Sequence, residues 1–228
     1  DTPGAILANQ FYNQLNPEAH YATTGPEIWE QTEGKVTHLV ASAGTGGTVS
    51  GAGKFLKEKN PAVQVICGDP VGSLYGNYFR THELGHDGAP YKVEGVGGDK
   101  VPTTVWWDVI DEFRSVSDKD SMAMARRLAR EEGILGGGST GMNLCVAIDV
   151  ARASAQHHDY QRALEALGCR VLTLPIEAEL PDSVFVEDTA IVLDEVAILT
   201  RPGALSRRGE VASVAEALRR YRPLLAIE

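Results

Sequence analysis

Between Leu39 and Lys54 the sequence reads LVASAGTGGTVSGAGK, an apolar run that passes into a glycine-rich turn and then into a helix start. A strand handed directly to a helix is the first half of a β-α-β unit, which points to layered α/β architecture with a parallel sheet. Glycines 44, 46 and 47 let backbone N–H groups converge on an anion with no Cβ between them. Thr45 and Thr48 add hydroxyl donors at the positive end of the helix. Two nucleotide motifs are excluded by spacing. A dinucleotide fingerprint from Gly44 and Gly46 needs glycine at 49, where Val49 stands. A P-loop ending at Gly53-Lys54 needs glycine at 48 and Ser or Thr at 55, where Thr48 and Phe55 stand. A glycine turn is also ordinary α/β punctuation, so by itself it assigns no ligand.

The surrounding pattern extends the same architecture. THLVAS, VQVICG, RVLTLP and AILT read as strands, and helices are expected over 48–59, 119–132, 141–167 and 209–221. The fold class expected is therefore α/β, with a mostly parallel sheet and flanking helices. Asn143 to Leu167 reads as one continuous helix with no glycine, proline or serine cluster before Gly168. Lys54, Lys57 and Lys59 read as the solvated face of a helix ending at Asn60-Pro61. Cys67, Cys145 and Cys169 sit in apolar surroundings and read as core thiols.

Composition excludes several classes of function. With 228 residues and 43% hydrophobic content the chain is long enough to bury a core. A formal charge of −10 with no basic patch argues against nucleic acid. No apolar run approaches a membrane span, and no secretory pattern opens the chain. Three cysteines without an evident pairing suggest a reducing cytoplasm. His82-Glu83-Leu84-Gly85-His86 satisfies a zinc pattern that requires a helix, but Gly85 weakens a helix and Asp87-Gly88-Ala89-Pro90 ends it. No metal is expected there.

From Asn16 the chain runs NPEAHYATTGPEIWEQTEGKVTHLVASAGTGGTVSGAGKFLKEKNPAVQVICGDPVGS, with VEGVGGD at 93–99 and VSDKDSMAMARRLAREEGILGGGSTGMN at 116–143. Over residues 1–147 this resembles the cysteine synthase and cystathionine β-synthase group, the fold-type II pyridoxal-phosphate enzymes. The resemblance implies that Gly44, Thr45, Gly46, Gly47 and Thr48 bind the cofactor phosphate and that Ser139 hydrogen-bonds the pyridine nitrogen. A neutral hydroxyl partner limits the ring as an electron sink, which suits β-replacement. It also implies an amino-acid ligand and a homodimer. The family's cofactor-bearing lysine lies upstream of the cradle, and none of Lys35, Lys54, Lys57, Lys59, Lys92, Lys100 and Lys119 stands in its context. The expectation is a chain that begins after that lysine, has no catalytic residue of its own and holds pyridoxal phosphate without a covalent bond. Gly98 departs from relatives that carry a larger residue facing the substrate.

From about residue 148 a second likeness takes over. PDSVFVED at 181–188 and TRPGALSRR at 200–208 resemble the opening of a dimethylarginine dimethylaminohydrolase, a guanidine-modifying pentein. That resemblance implies that Asp182, Glu187 and Asp188 surround a substrate guanidinium and that Arg207 holds its α-carboxylate. The pentein cysteine and histidine lie downstream in the family, and Cys169 is not placed to replace the cysteine. All seven lysines lie at or before Lys119, which is compatible with two segments of different origin. The domains expected are 1–147 and 148–228, a chimera of two incomplete families joined inside one helix. Three readings follow: a pyridoxal-phosphate β-replacement enzyme, incomplete and inactive as this chain alone; a guanidine hydrolase, also incomplete; or a non-catalytic structural chain.

Overall fold

A computed structural model describes residues 3–86, 88–175, 177, 180, 183 and 186–227. The chain divides into two compact units, Asp1–His157 and His158–Glu228, and the division falls inside the long helix. The boundary expected from the resemblances, 147/148, falls in the same helix.

The first unit opens with α1 (Leu15–Ala22) and α2 (Thr24–Gln31), then alternates β1 (His38–Ser42), α3 (Gly47–Lys59), β2 (Gln64–Pro70), α4 (Tyr75–Thr81), β3 (Glu112–Val116), α5 (Asp118–Glu132) and α6 (Gly138–Ala166). The strands pair in the order β1-β2-β3, both pairs parallel. Parallel sheets are covered on both faces, so the central strand reads as a continuous apolar run. Val65 and Cys67 of β2 enter one core with Ala43, Val49, Tyr75, Val109 and Phe113. Ile66, one residue out of phase, enters the other with Val93, Val116, Met142 and Val146.

Two local devices fix the frame around the glycine turn. α3 packs on α1, and Gly51 is required there because a Cβ would meet the Pro17 carbonyl oxygen and lie 2.7 Å from the Tyr21 nitrogen. That packing offsets the roughly 1 kcal/mol that glycine costs inside a helix. The start of α5 is capped by Ser117, whose Oγ accepts from the Asp120 N–H at 3.1 Å.

The second unit contains β4 (Ala190–Val192), β5 (Ala197–Leu199), α7 (Val211–Leu218) and β6 (Leu224–Ala226). β4 and β5 are antiparallel, and β5 and β6 are parallel. Among the described residues these strands pair among themselves and add nothing to the first sheet.

Several sequence expectations need correction. RVLTLP at 170–175 forms no strand, and the sheet of this unit is built from β4, β5 and β6 alone among the described residues. Cys169 is exposed, Cys145 is half-buried, and only Cys67 is a core thiol. Lys57 is not on a solvated face: its ammonium lies 2.7 Å from Asp111, whose other oxygen accepts from the Val65 N–H at 2.6 Å. The helix expected over 209–221 is a 3-10 turn, Leu205–Glu210, followed by the shorter α7. His82 ends α4 in the left-handed region with φ +57°, so the His-Glu-x-x-His stretch is not helical.

Candidate functional site

β1 delivers the chain to the glycine turn, and α3 carries it away. Gly46 precedes α3 with φ +77°, a conformation that costs an L-residue about 1–2 kcal/mol. The turn is anchored from behind by side chains distant in sequence. Thr104, fully buried, donates to the Thr45 carbonyl oxygen at 2.6 Å, and Asn16 Nδ2 donates to Thr45 Oγ1 at 2.9 Å. A second loop is strapped alongside, with the Gly97 N–H donating to the Ala43 oxygen at 2.7 Å.

These pieces enclose a cavity of about 510 Å³ lined by Gln10, Phe11, Ser42, residues 44–48, residues 95–97 and Ser139. All five turn residues expected to hold phosphate therefore share one cavity with Ser139, which arrives from the first turn of α6. The glycines are demanded for a reason other than the one the sequence suggests. A Cβ at 44 would strike the Gly95 oxygen, at 46 Val105, and at 47 Asn16. The residues are small because the turn is pressed against its own scaffold, not because side chains would otherwise fill the cavity.

The chemistry of this lining is uncharged and donor-rich. No charged side chain is among the lining residues, and no lysine is among them. Among the described residues, the N–H groups of Thr45, Gly46 and Thr48 find no acceptor within the chain. Orphan donors at a helix start, with the helix dipole behind them, make an anion site. Thr48 Oγ1 lies 3.2 Å from His20 Nε2, and His20 Nδ1 lies 2.9 Å from Thr24 Oγ1, so the imidazole fixes the hydroxyl at the rim. One helical turn beyond Ser139, Asn143 contacts Ser42 Oγ through Nδ2 at 3.3 Å, while its buried Oδ1 has no partner. Gln10, Phe11, His20 and Asn143 were not singled out from sequence. They flank the turn only through tertiary packing, and no spacing rule marks them.

In the second unit, Arg207 is tied down by carboxylates. Its Nη2 is 2.9 Å from Glu210 Oε2 and its Nη1 2.9 Å from Asp188 Oδ2. The hydrogen bonds to Glu210, then to Asp188, hold the guanidinium pKa above its ordinary value. Asp188, expected to take a ligand's guanidinium, here takes that of Arg207. Glu187 is exposed, and Asp182 lies outside the described residues. Glu210, buried at 2% exposure, is the member that the sequence did not suggest. Among the described residues no group of three His, Cys, Asp or Glu side chains is placed to hold a metal ion.

Residues 1–164 match the pyridoxal-phosphate dependent enzyme family. The chain belongs to that family. Pyridoxal phosphate is the cofactor of this family, and an uncharged, donor-lined cradle at a helix start suits its phosphate. Among similar proteins, the cystathionine beta-synthase of Apis mellifera is 44% identical over 153 residues, 67% of this chain and 30% of that protein. Cysteine synthase 3 of Caenorhabditis elegans is 42% identical over 149 residues, 65% of this chain and 42% of its own length. The cystathionine beta-synthase of Oryctolagus cuniculus is 39% identical over 184 residues, covering 81% of this chain and 30% of the relative. The chain thus spans less than half the length of these relatives.

Proposed function

We propose that this pyridoxal-phosphate family chain carries the phosphate-holding part of a β-replacement enzyme of cysteine or cystathionine synthesis. The single observation that carries the reading is the convergence of Gly44, Thr45, Gly46, Gly47 and Thr48 with Ser139 around one cavity with unpaired N–H donors. In the proposed arrangement the N–H groups of Thr45, Gly46 and Thr48 and the two threonine hydroxyls take the phosphate, and Ser139 faces the pyridine nitrogen. The bound cofactor supplies an electron sink for a substrate carbanion. This chain's residues bind and orient it: His20 fixes the Thr48 hydroxyl, and Asn16 fixes that of Thr45. With no lysine at the cavity, the chain by itself holds the cofactor non-covalently and moves no α-proton. The ligand beside the cofactor is an amino acid, the chain pairs as a homodimer, and its compartment is the cytoplasm, consistent with three free cysteines. No described helix is long and apolar enough to cross a membrane.

Equilibrium dialysis with pyridoxal 5′-phosphate, with inorganic phosphate as competitor, tests the reading. Saturable uptake displaced by phosphate, and no label retained after borohydride treatment, is the expected result. Absence of uptake, or uptake indifferent to phosphate, removes it.

A second reading concerns residues 148–228. They form a dimethylargininase-like segment, so that the whole is a chimera of two incomplete families. The PDSVFVED and TRPGALSRR strings support it. A dimethylarginine titration followed by NMR should move the resonances of Glu187, Asp188 and Arg207. Unmoved resonances together with no citrulline release would leave this segment a structural one. Mass spectrometry of the natural protein, finding or failing to find peptides across 147/148, decides whether the join is genuine.

A further inference from the structure

Tyr75, at the start of α4, is buried to 2% exposure, and its phenol is not spent on packing alone. The hydroxyl donates to the carbonyl oxygen of Gly44 at 2.9 Å, and Gly44 lines the cavity. The ring is held edge-on to Trp107, centroids 5.8 Å apart at 90°. Room for the hydroxyl exists only because residue 98 is glycine: a Cβ there would lie 2.6 Å from the phenol oxygen and 2.8 Å from Cζ. The place is fastened twice more, by the Leu74 N–H on the Gly98 oxygen at 3.0 Å and the Gly98 N–H on Ser73 Oγ at 3.2 Å. Burial raises the pKa of the phenol, with Tyr91 and Asp69 adding to the shift, so it stays a donor across the physiological range.

The peptide linking Gly44 to Thr45 is trans, and in a trans peptide the carbonyl and the following N–H point in opposite directions. A phenol that holds the Gly44 oxygen on one side therefore sends the Thr45 N–H to the other. That N–H has no acceptor in the chain. Turned over, the same peptide would set a carbonyl oxygen against the anion instead, and the phenol's hold on the Gly44 oxygen opposes that rotation.

We propose that Tyr75 is a positioning residue of the anion cradle, locking the 44–45 peptide so that the Thr45 N–H faces the bound phosphate, with Gly98 as the space that admits it. The inference rests on the phosphate reading above and names a determinant outside the glycine turn. The test measures inorganic phosphate binding by calorimetry and follows the Thr45 amide resonance during the same titration, in the unaltered protein, Tyr75→Phe and Gly98→Ala. Tyr75→Phe keeps the ring on Trp107 and removes only the donor. It should weaken phosphate by about five- to tenfold, the size of one hydrogen bond, and shrink the downfield shift of Thr45. Gly98→Ala keeps the hydroxyl but displaces it, and should produce the same two changes. Phosphate affinity and a Thr45 shift unchanged in Tyr75→Phe, even with a lowered melting temperature, would overturn the proposal and leave Tyr75 as packing. If the unaltered protein takes up neither phosphate nor pyridoxal phosphate, the cofactor reading fails and carries this inference with it.

Discussion

The two compact units treat their polar groups in opposite ways. In the first, the N–H groups of Thr45, Gly46 and Thr48 belong to residues that line a cavity and find no acceptor in the described chain. In the second, the Arg207 guanidinium, expected to hold a ligand's carboxylate, is engaged by Glu210 and Asp188. Residues of the right type are present in both. What separates a site from a structural cluster is unspent bonding capacity, since a donor already matched by a carboxylate gives a ligand little beyond an exchange of partners.

Gly46→Ala should break the first half of that contrast with the largest effect. The residue would be held at φ +77° and its Cβ driven into Val105, costing about 3 kcal/mol of stability from backbone strain and overpacking together. Phosphate uptake should vanish, and urea unfolding should show the loss in the first unit's transition. Glu210→Ala probes the other half. It takes one carboxylate from Arg207, one-fifth exposed, and should cost the second unit about 2 kcal/mol while phosphate binding stays unchanged. A fall in phosphate affinity in that variant would show the two regions to be coupled and the contrast misdrawn.

Ser117→Ala is a smaller perturbation within the first unit but away from the cavity. Loss of the α5 cap should cost about 1 kcal/mol, with phosphate affinity intact; thermal unfolding and calorimetry on the same sample separate the two. Asp69 gives the gentlest handle. Burial raises its pKa above the ordinary 3.8, against the lowering effect of the Ser73 and Gly76 hydrogen bonds and of Arg80. For an acid whose folded pKa is raised, the folded state keeps its proton longer than the unfolded chain. Its stabilising contribution is whole below pH 3.8 and declines as pH rises toward the folded value. Asp69→Asn should remove that decline, so a stability-against-pH curve of the variant should be flatter on the acid side.

Much of the first unit was legible because its signals are local. The glycine turn, the apolar runs THLVAS and VQVICG and the helical stretches at 119–132 and 141–167 each state their structure locally, and β1, β2, α3, α5 and α6 follow from them. β3 was not legible, since the two apolar residues of Glu112-Phe113-Arg114-Ser115-Val116 stand three apart and break the alternation, entering opposite cores, and the segment becomes a strand through pairing with β2. α1 and α2 were hidden by Pro17, Gly25 and Pro26, residues that a propensity reading counts against helices. RVLTLP failed in the other direction. An apolar run has strand propensity whether or not a partner strand pairs with it, and here, among the described residues, none does.

The sequence by itself determined the α/β layering and the place of the glycine turn, because backbone conformation and hydrophobic periodicity act over short range, and its motifs carried the resemblance to the family. Only the tertiary structure decided that Ser139 meets that turn, that Glu210 and Asp188 occupy Arg207, and that a phenol from α4 holds the Gly44 carbonyl. Those juxtapositions join residues far apart along the chain, and the close approach that makes them depends on how helices and strands pack against one another. No local pattern of residues encodes that.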